Sequence, residues 1–213
     1  MEPTFDDLVQ RVVRRLEHAP AGARVIIGIT GSPGAGKTTL AESVVSELGT
    51  ALGRDQVAHV PMDGYHLADI ALDRLGLRHR KGAPETFDAE GYVALLRRLR
   101  ENADPVVYAP GFDRDIEQPI AGSIAISQAT RVIVTEGNYL LLDGAWTGAR
   151  ALMDEVWFCR PEEAVRRQRL LDRHVRFGKS PEAAVAWMAT TDQPNADAIE
   201  STFDRADLVV LVD

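Results

Sequence analysis

The chain contains a single cysteine, Cys159, in 213 residues. One thiol cannot build a disulfide framework, which excludes a small disulfide-stapled secreted scaffold. Cys159 lies in the apolar stretch Val156-Trp157-Phe158-Cys159 and reads as a core residue rather than a redox centre or nucleophile. No apolar run reaches the roughly 18 residues of a membrane span. The first residues carry Glu2, Asp6 and Asp7 and no apolar leader region, so the expectation is a cytoplasmic chain without a signal peptide. Positive charge is also short. Lys and Arg number 24 against 32 Asp and Glu, a net charge of −8, which argues against nucleic acid or a membrane surface as a general partner. Any basic cluster in such a chain needs its own explanation. Five histidines and one cysteine show no zinc-type spacing.

What is present is ordinary globular composition, 45% hydrophobic and 26% charged. The length suggests one domain over 1–213 with room for a small lid. Apolar residues at Phe5, Leu8, Val9, Val12, Val13 and Leu16 predict a helix over 4–17, with Thr4 and Asp7 forming a capping box. Val25–Ile29 is a continuous apolar run, as in a buried parallel strand. Further strands are expected at Val57–Val60, Arg131–Thr135, Glu155–Cys159 and Leu208–Val212. Helices are expected after the first strand, near Leu67, after Asp88 and after Pro161. Residues 105–127 read as turns and short extended pieces. Alternating strands and helices indicate an α/β domain with a mainly parallel sheet.

Gly31-Ser32-Pro33-Gly34-Ala35-Gly36-Lys37-Thr38 fits the phosphate-loop pattern G-x-x-x-x-G-K-[ST], with a strand before it and a helix after it. The glycines let backbone N–H groups point at phosphate oxygens, and the helix adds its positive N-terminal end. Gly31, Ser32, Gly34, Ala35, Gly36, Lys37, Thr38 and the adjoining Thr39 are therefore the nucleotide-binding candidates. Lys37 would reach the β- and γ-phosphates, and the Thr38 hydroxyl would ligate Mg²⁺.

Two acids follow strands at the end where α/β ligands bind, Asp63 and Glu136. One could hold the metal, and the other could orient an acceptor hydroxyl and take its proton; position alone does not decide which. Capping a following turn is the competing role for either. Residues 160–179 gather seven cations, and Arg166, Arg169, Arg173 and Arg176 share one helical face. Ala164, Gln168, Leu171 and Val175 are expected to pack on the opposite side. Such a row suits a lid over a triphosphate, about residues 166–186, with Arg173 the strongest candidate. A solvated face of ion pairs is the alternative for some of these arginines.

The phosphate loop, Met62-Asp63-Gly64-Tyr65-His66, Arg80-Lys81-Gly82, Glu136-Gly137-Asn138-Tyr139 and the arginine lid occur in the order seen in uridine kinases, phosphoribulokinases and bacterial pantothenate kinases. The chain resembles this family over about Val25 to Val212, closest to the branch labelled nucleoside/nucleotide kinase-like or fructose-transport kinase-like. The resemblance implies the P-loop nucleoside triphosphate hydrolase fold, with ATP and Mg²⁺ as cofactors. It implies that Asp63 is the catalytic base and Glu136 belongs to the magnesium shell. It implies that Arg173, with Lys179 further along, touches ATP phosphates, that Asn195 lies near the adenine, and that Arg80 and Lys81 border the acceptor. Tyr65, His66, Tyr108, Phe112, Arg114 and Asn138 are the remaining acceptor candidates. An exposed turn is the competing reading for Arg80 and Lys81, and a structural role for His66. Asp63-Gly64-Tyr65-His66 departs from the aspartate, serine, phenylalanine and tyrosine of uridine kinases, so a nucleoside is not implied.

The expectation is an ATP-dependent kinase that moves the γ-phosphate to a hydroxyl of a small metabolite, whether pantothenate-, sugar- or nucleoside-like. A nucleotide-dependent regulator that hydrolyses ATP slowly is the alternative, although no Asn-Lys-x-Asp guanine-reading motif is present. The oligomeric state stays open, a homodimer included.

Overall fold

A computed structural model describes residues 3–212; Met1, Glu2 and Asp213, which the expected 1–213 domain includes, lie outside the described residues. The elements run α1 (Phe5–His18), β1 (Val25–Thr30), α2 (Lys37–Leu52), β2 (Val57–Pro61), α3 (Asp69–Leu75), α4 (Ala89–Glu101), β3 (Val106–Asp113), β4 (Gln118–Ser127) and β5 (Val132–Glu136). They continue with α5 (Thr147–Arg150), β6 (Glu155–Arg160), α6 (Glu163–Arg176), α7 (Pro181–Trp187), α8 (Gln193–Glu200) and β7 (Leu208–Leu211). Among the described residues, five strands form a parallel sheet in the order β2-β5-β1-β6-β7.

The two-residue period of a strand divides the core between the sheet's faces. Val25, Ile27 and Ile29 of β1 and Trp157 and Cys159 of β6 pack with α1 and α2. Ile26, Val156 and Phe158 pack the other way, with Tyr92, Leu96 and Leu99 of α4 and Ile199 of α8. Helices cover both faces, so the strands carry continuous apolar runs. Cys159 is buried, and burial pushes its thiol up to about 12, which keeps it protonated. The Thr4–Asp7 capping box forms as expected, and the Asp88 carboxylate accepts from the Gly91 N–H at the start of α4. No helix among the described residues is long and apolar enough to cross a membrane.

Residues 105–127 differ from expectation: they build an antiparallel ribbon of eight and ten residues, β3 with β4. Val107, Ala109 and Ile126 are buried while Val106 and Tyr108 are exposed, a true strand alternation. Pro110 and Gly111 hide it by introducing a register shift after Ala109, and prolines are tolerated because the ribbon stands outside the main sheet.

Candidate active site

The phosphate loop joins β1 to α2. Gly31 is needed for close approach, because a Cβ there would stand 2.6 Å from the Cys159 carbonyl oxygen. Gly36 caps α2 in the left-handed region at φ 86°. Ser32 is buried and its hydroxyl donates to Glu200 at 2.8 Å; Ala35 is buried and Thr39 exposed. Lys37 is folded onto its own loop, donating to the Gly31 and Ser32 carbonyls at 2.8 and 3.1 Å. Burial lowers its pKa, against the pull of Glu136.

Parallel pairing sets the two acids side by side. Glu136 ends β5 opposite Ile29 of β1 and Pro61 of β2, and Asp63 lies two residues beyond the end of β2. Glu136 is only 3% exposed and accepts from the Thr38 hydroxyl at 3.1 Å. Desolvation pushes its carboxyl up to about 7, with repulsion from Asp63 adding to the shift and Lys37 opposing it. Asp63 is ion-paired with Arg114 at 3.0 Å. The His66 Nδ1–H donates to the Asp63 carbonyl at 2.8 Å, which assigns the tautomer, because a carbonyl only accepts. The imidazole lies 4.0 Å from Phe87 and 4.7 Å from Phe112, ring centre to ring centre, and burial lowers its pKa.

One cleft of about 360 Å³ collects Lys37, Thr38, Asp63, His66, Lys81, Phe112, Arg114, Glu136, Asn138, Arg173 and Asn195. Its walls crowd Arg173, where desolvation lowers the pKa, while the side chain keeps solvent access. Asn195, expected by the adenine, directs its amide to the Gly82 carbonyl at 3.4 Å, on the same side as Lys81.

Three acceptor candidates do not line this cleft. Tyr65 packs edge-on against Tyr92 at 5.5 Å, with its hydroxyl pushed up to about 12 by burial. Tyr108 is 62% exposed on the ribbon. Arg80 pairs with Glu85 at the surface. Arg78 lines the cleft instead. Residues 78–80 form a 3₁₀ turn, and with three residues per turn Arg78 and Lys81 share a face that Arg80 does not. Both bind the Asp69 carboxylate, at 2.7 Å each.

The packed side of α6 also differs from expectation. Ala164, Gln168 and Val175 are exposed, whereas Leu170 and Arg166 are buried. Arg166 donates to the Pro33 carbonyl at 3.0 Å and to Glu163 at 2.7 Å, so it braces the phosphate loop. Arg169 flanks the loop near Gly36, and Arg176 lies against Phe177. Of the four arginines in the row, Arg173 is the one lining the cleft. Residues that sequence reasoning missed are Asp69, Arg78, Phe87, Glu117, Trp187 and the His174–Asp192 pair, joined at 2.7 Å.

A phosphate loop at the carboxyl end of a five-stranded parallel sheet, facing two strand-end acids and a cationic helix, defines a P-loop kinase. The chain belongs to the Phosphoribulokinase / Uridine kinase family, whose model matches residues 26–212. It is 33% identical over 214 residues to a protein named provisionally as a uridine kinase from Schizosaccharomyces pombe, covering 97% of this chain and 90% of that protein. It is similar to a solved protein from Silicibacter sp. TM1040, provisionally described as a fructose transport system kinase. That match has 37% identity, a TM-score of 0.85 and coverage of 97% and 98% of the two chains. Phosphoribulokinase from Rhodobacter spheroides, at 13% identity and a TM-score of 0.63 with coverage of 90% of this chain and 72% of that one, shares the fold. Family membership supports a kinase of small metabolites.

Proposed function

We propose that this protein transfers the γ-phosphate of ATP to a hydroxyl of a small metabolite. The observation that carries the proposal is the meeting of Lys37, Thr38, Asp63, Glu136 and Arg173 in one cleft. Phosphoryl transfer needs positioned phosphates, compensated charge and an aligned acceptor, and little covalent chemistry from the protein. Lys37 and Arg173 hold the phosphates. Asp63 accepts the acceptor's proton as its oxygen bonds to the γ-phosphorus and the bond to the β-bridging oxygen breaks, releasing ADP. For this, Arg114 must give way to the acceptor hydroxyl at Asp63, or share the carboxylate with it.

The Thr38 hydroxyl and Glu136 carboxylate, 3.1 Å apart, are hard oxygen donors suited to Mg²⁺. No group of three or more His, Cys, Asp or Glu ligands gathers among the described residues. Bound at Thr38 and Glu136, Mg²⁺ would neutralise charge on the β- and γ-phosphates. Residues from about 166 to 186 act as the lid. His66, Lys81, Phe112, Arg114 and Asn138 receive the acceptor, with an aromatic wall and mixed charge as its surroundings.

The test is ADP release from ATP and Mg²⁺ across pantothenate, nucleosides, hexoses and other small alcohols, with a no-acceptor control. One compound that raises turnover far above the control, with its phosphate ester confirmed by mass, supports the proposal and names the acceptor class. A flat panel above slow hydrolysis favours a nucleotide-dependent regulator.

A further inference from the structure

A second groove, of about 450 Å³, lies at the opposite end of the sheet, against the first residues of β1 and β6. Its lining holds five guanidinium groups, from Arg11, Arg14, Arg15, Arg24 and Arg100, against two carboxylates, Asp154 and Glu155. This excess occurs in a chain with a net charge of −8.

Both carboxylates are committed. Glu155 accepts Nε–H bonds from Arg11 and Arg15 at 2.6 Å each and the Trp157 indole N–H at 2.8 Å. Asp154 is paired with Arg100 at 2.8 Å and accepts the Ile26 N–H at 2.7 Å. Arg24 is 1% exposed and donates to three backbone carbonyls, of Thr130, Leu99 and Ser127. Among the described residues it has no carboxylate partner. A buried charge without a counter-charge is costly. Arg11 and Arg15 use only Nε, which leaves their terminal nitrogens unbonded among the described residues, and Arg14 makes no salt bridge there, with Asp7 of the same helix as its nearby charge. The carboxyl end of α1 opposes an anion with only about half a charge, too little to cancel the guanidinium excess. Ala19, Pro20, Ala23 and Val25 give the groove an apolar wall.

We propose that this groove binds a phosphate-bearing small molecule, with the phosphate on Arg11, Arg14 and Arg15 and the organic part against the Ala19–Val25 wall. Planar guanidinium forks match phosphate oxygens. The site is separate from the kinase cleft and does not depend on the reading of that cleft.

To test this, the protein is treated with phenylglyoxal in the absence of nucleotide. The modification rate of each arginine is read by peptide mass spectrometry, with ribose 5-phosphate, inorganic phosphate or a single-stranded oligonucleotide at matched ionic strength. The expected result is at least about fivefold slower modification of Arg11, Arg14 and Arg15 with either small phosphate, no change at exposed Arg97, and loss of protection at Arg11 and Arg15 in Arg14→Glu. Stronger protection by the ester supports a phosphorylated metabolite seated on the apolar wall, and equal protection overturns that assignment in favour of free phosphate. Unchanged rates with both small phosphates overturn the proposal. Protection by the oligonucleotide alone overturns it in favour of nucleic acid.

Discussion

Replacing Glu136 by Gln should stabilise the empty protein while impairing its use of Mg²⁺ and ATP. Glu136 is 3% exposed, and its carboxyl is raised from the ordinary 4.5 to about 7, with desolvation as the largest cause and the Asp63 charge next. A carboxyl raised in the folded state favours the protonated fold. Its contribution is therefore fully present below about pH 4.5, fades as pH rises and is lost above about pH 7. The shift corresponds to an ionisation penalty on the order of 3 kcal/mol at pH 8. The glutamine side chain keeps an oxygen for the Thr38 hydroxyl and carries no charge. At about 2–4 °C per kcal/mol for a domain of this size, Glu136→Gln should melt roughly 6–12 °C above wild type at pH 8, with a much smaller gap at pH 5. Adding Mg²⁺ and ATP should stabilise wild type by about 3 kcal/mol at a hundredfold excess over Kd and the variant by less. The assay is thermal unfolding at both pH values, with and without nucleotide and metal. A variant that melts at or below wild type at pH 8 without ligands would refute the reasoning.

Asp63→Asn should retain ATP binding, measured by calorimetry, while phosphoryl transfer falls by roughly 10²–10⁴, as for a lost general base; unchanged turnover removes Asp63 from that role. Lys37→Ala should lose transfer, and normal activity there would exclude phosphate-loop chemistry. Arg166→Met should lower stability by about 1–3 kcal/mol, because the Pro33 carbonyl loses a charged donor in a buried setting; denaturant unfolding reads this. Burial lowers the pKa of His66, so its ring protons should titrate with a midpoint below 6.5 by NMR.

The phosphate loop could be read in the sequence because its chemistry is contiguous, and the two acids because a strand's carboxyl end is visible in the apolar pattern. The parallel sheet followed from the same pattern. The β3–β4 ribbon was obscured by Pro110 and Gly111, which resemble turn signals yet sit at a bulge. Arg78 was missed and Arg80 chosen because a 3₁₀ turn, not motif position, decides which cation faces the cleft. Arg166 reads in the sequence as one member of a lid row over a triphosphate. Its burial depends on the Pro33 carbonyl, 133 residues away in sequence. Arg24, Phe87 and Glu117 likewise take their roles from elements distant in the chain. Tyr65 and Tyr108 carried the right chemistry for an acceptor wall, but strand alternation exposes one and the core claims the other.

The most direct test of the central claim is to incubate the protein with γ-labelled ATP, Mg²⁺ and a dialysable metabolite extract, and to follow the label by mass spectrometry. The account predicts that label enters a new phosphate ester of a small hydroxyl compound, and that Lys37→Ala and Asp63→Asn prevent this. Label recovered only as inorganic phosphate, at the same rate with and without extract, would contradict it.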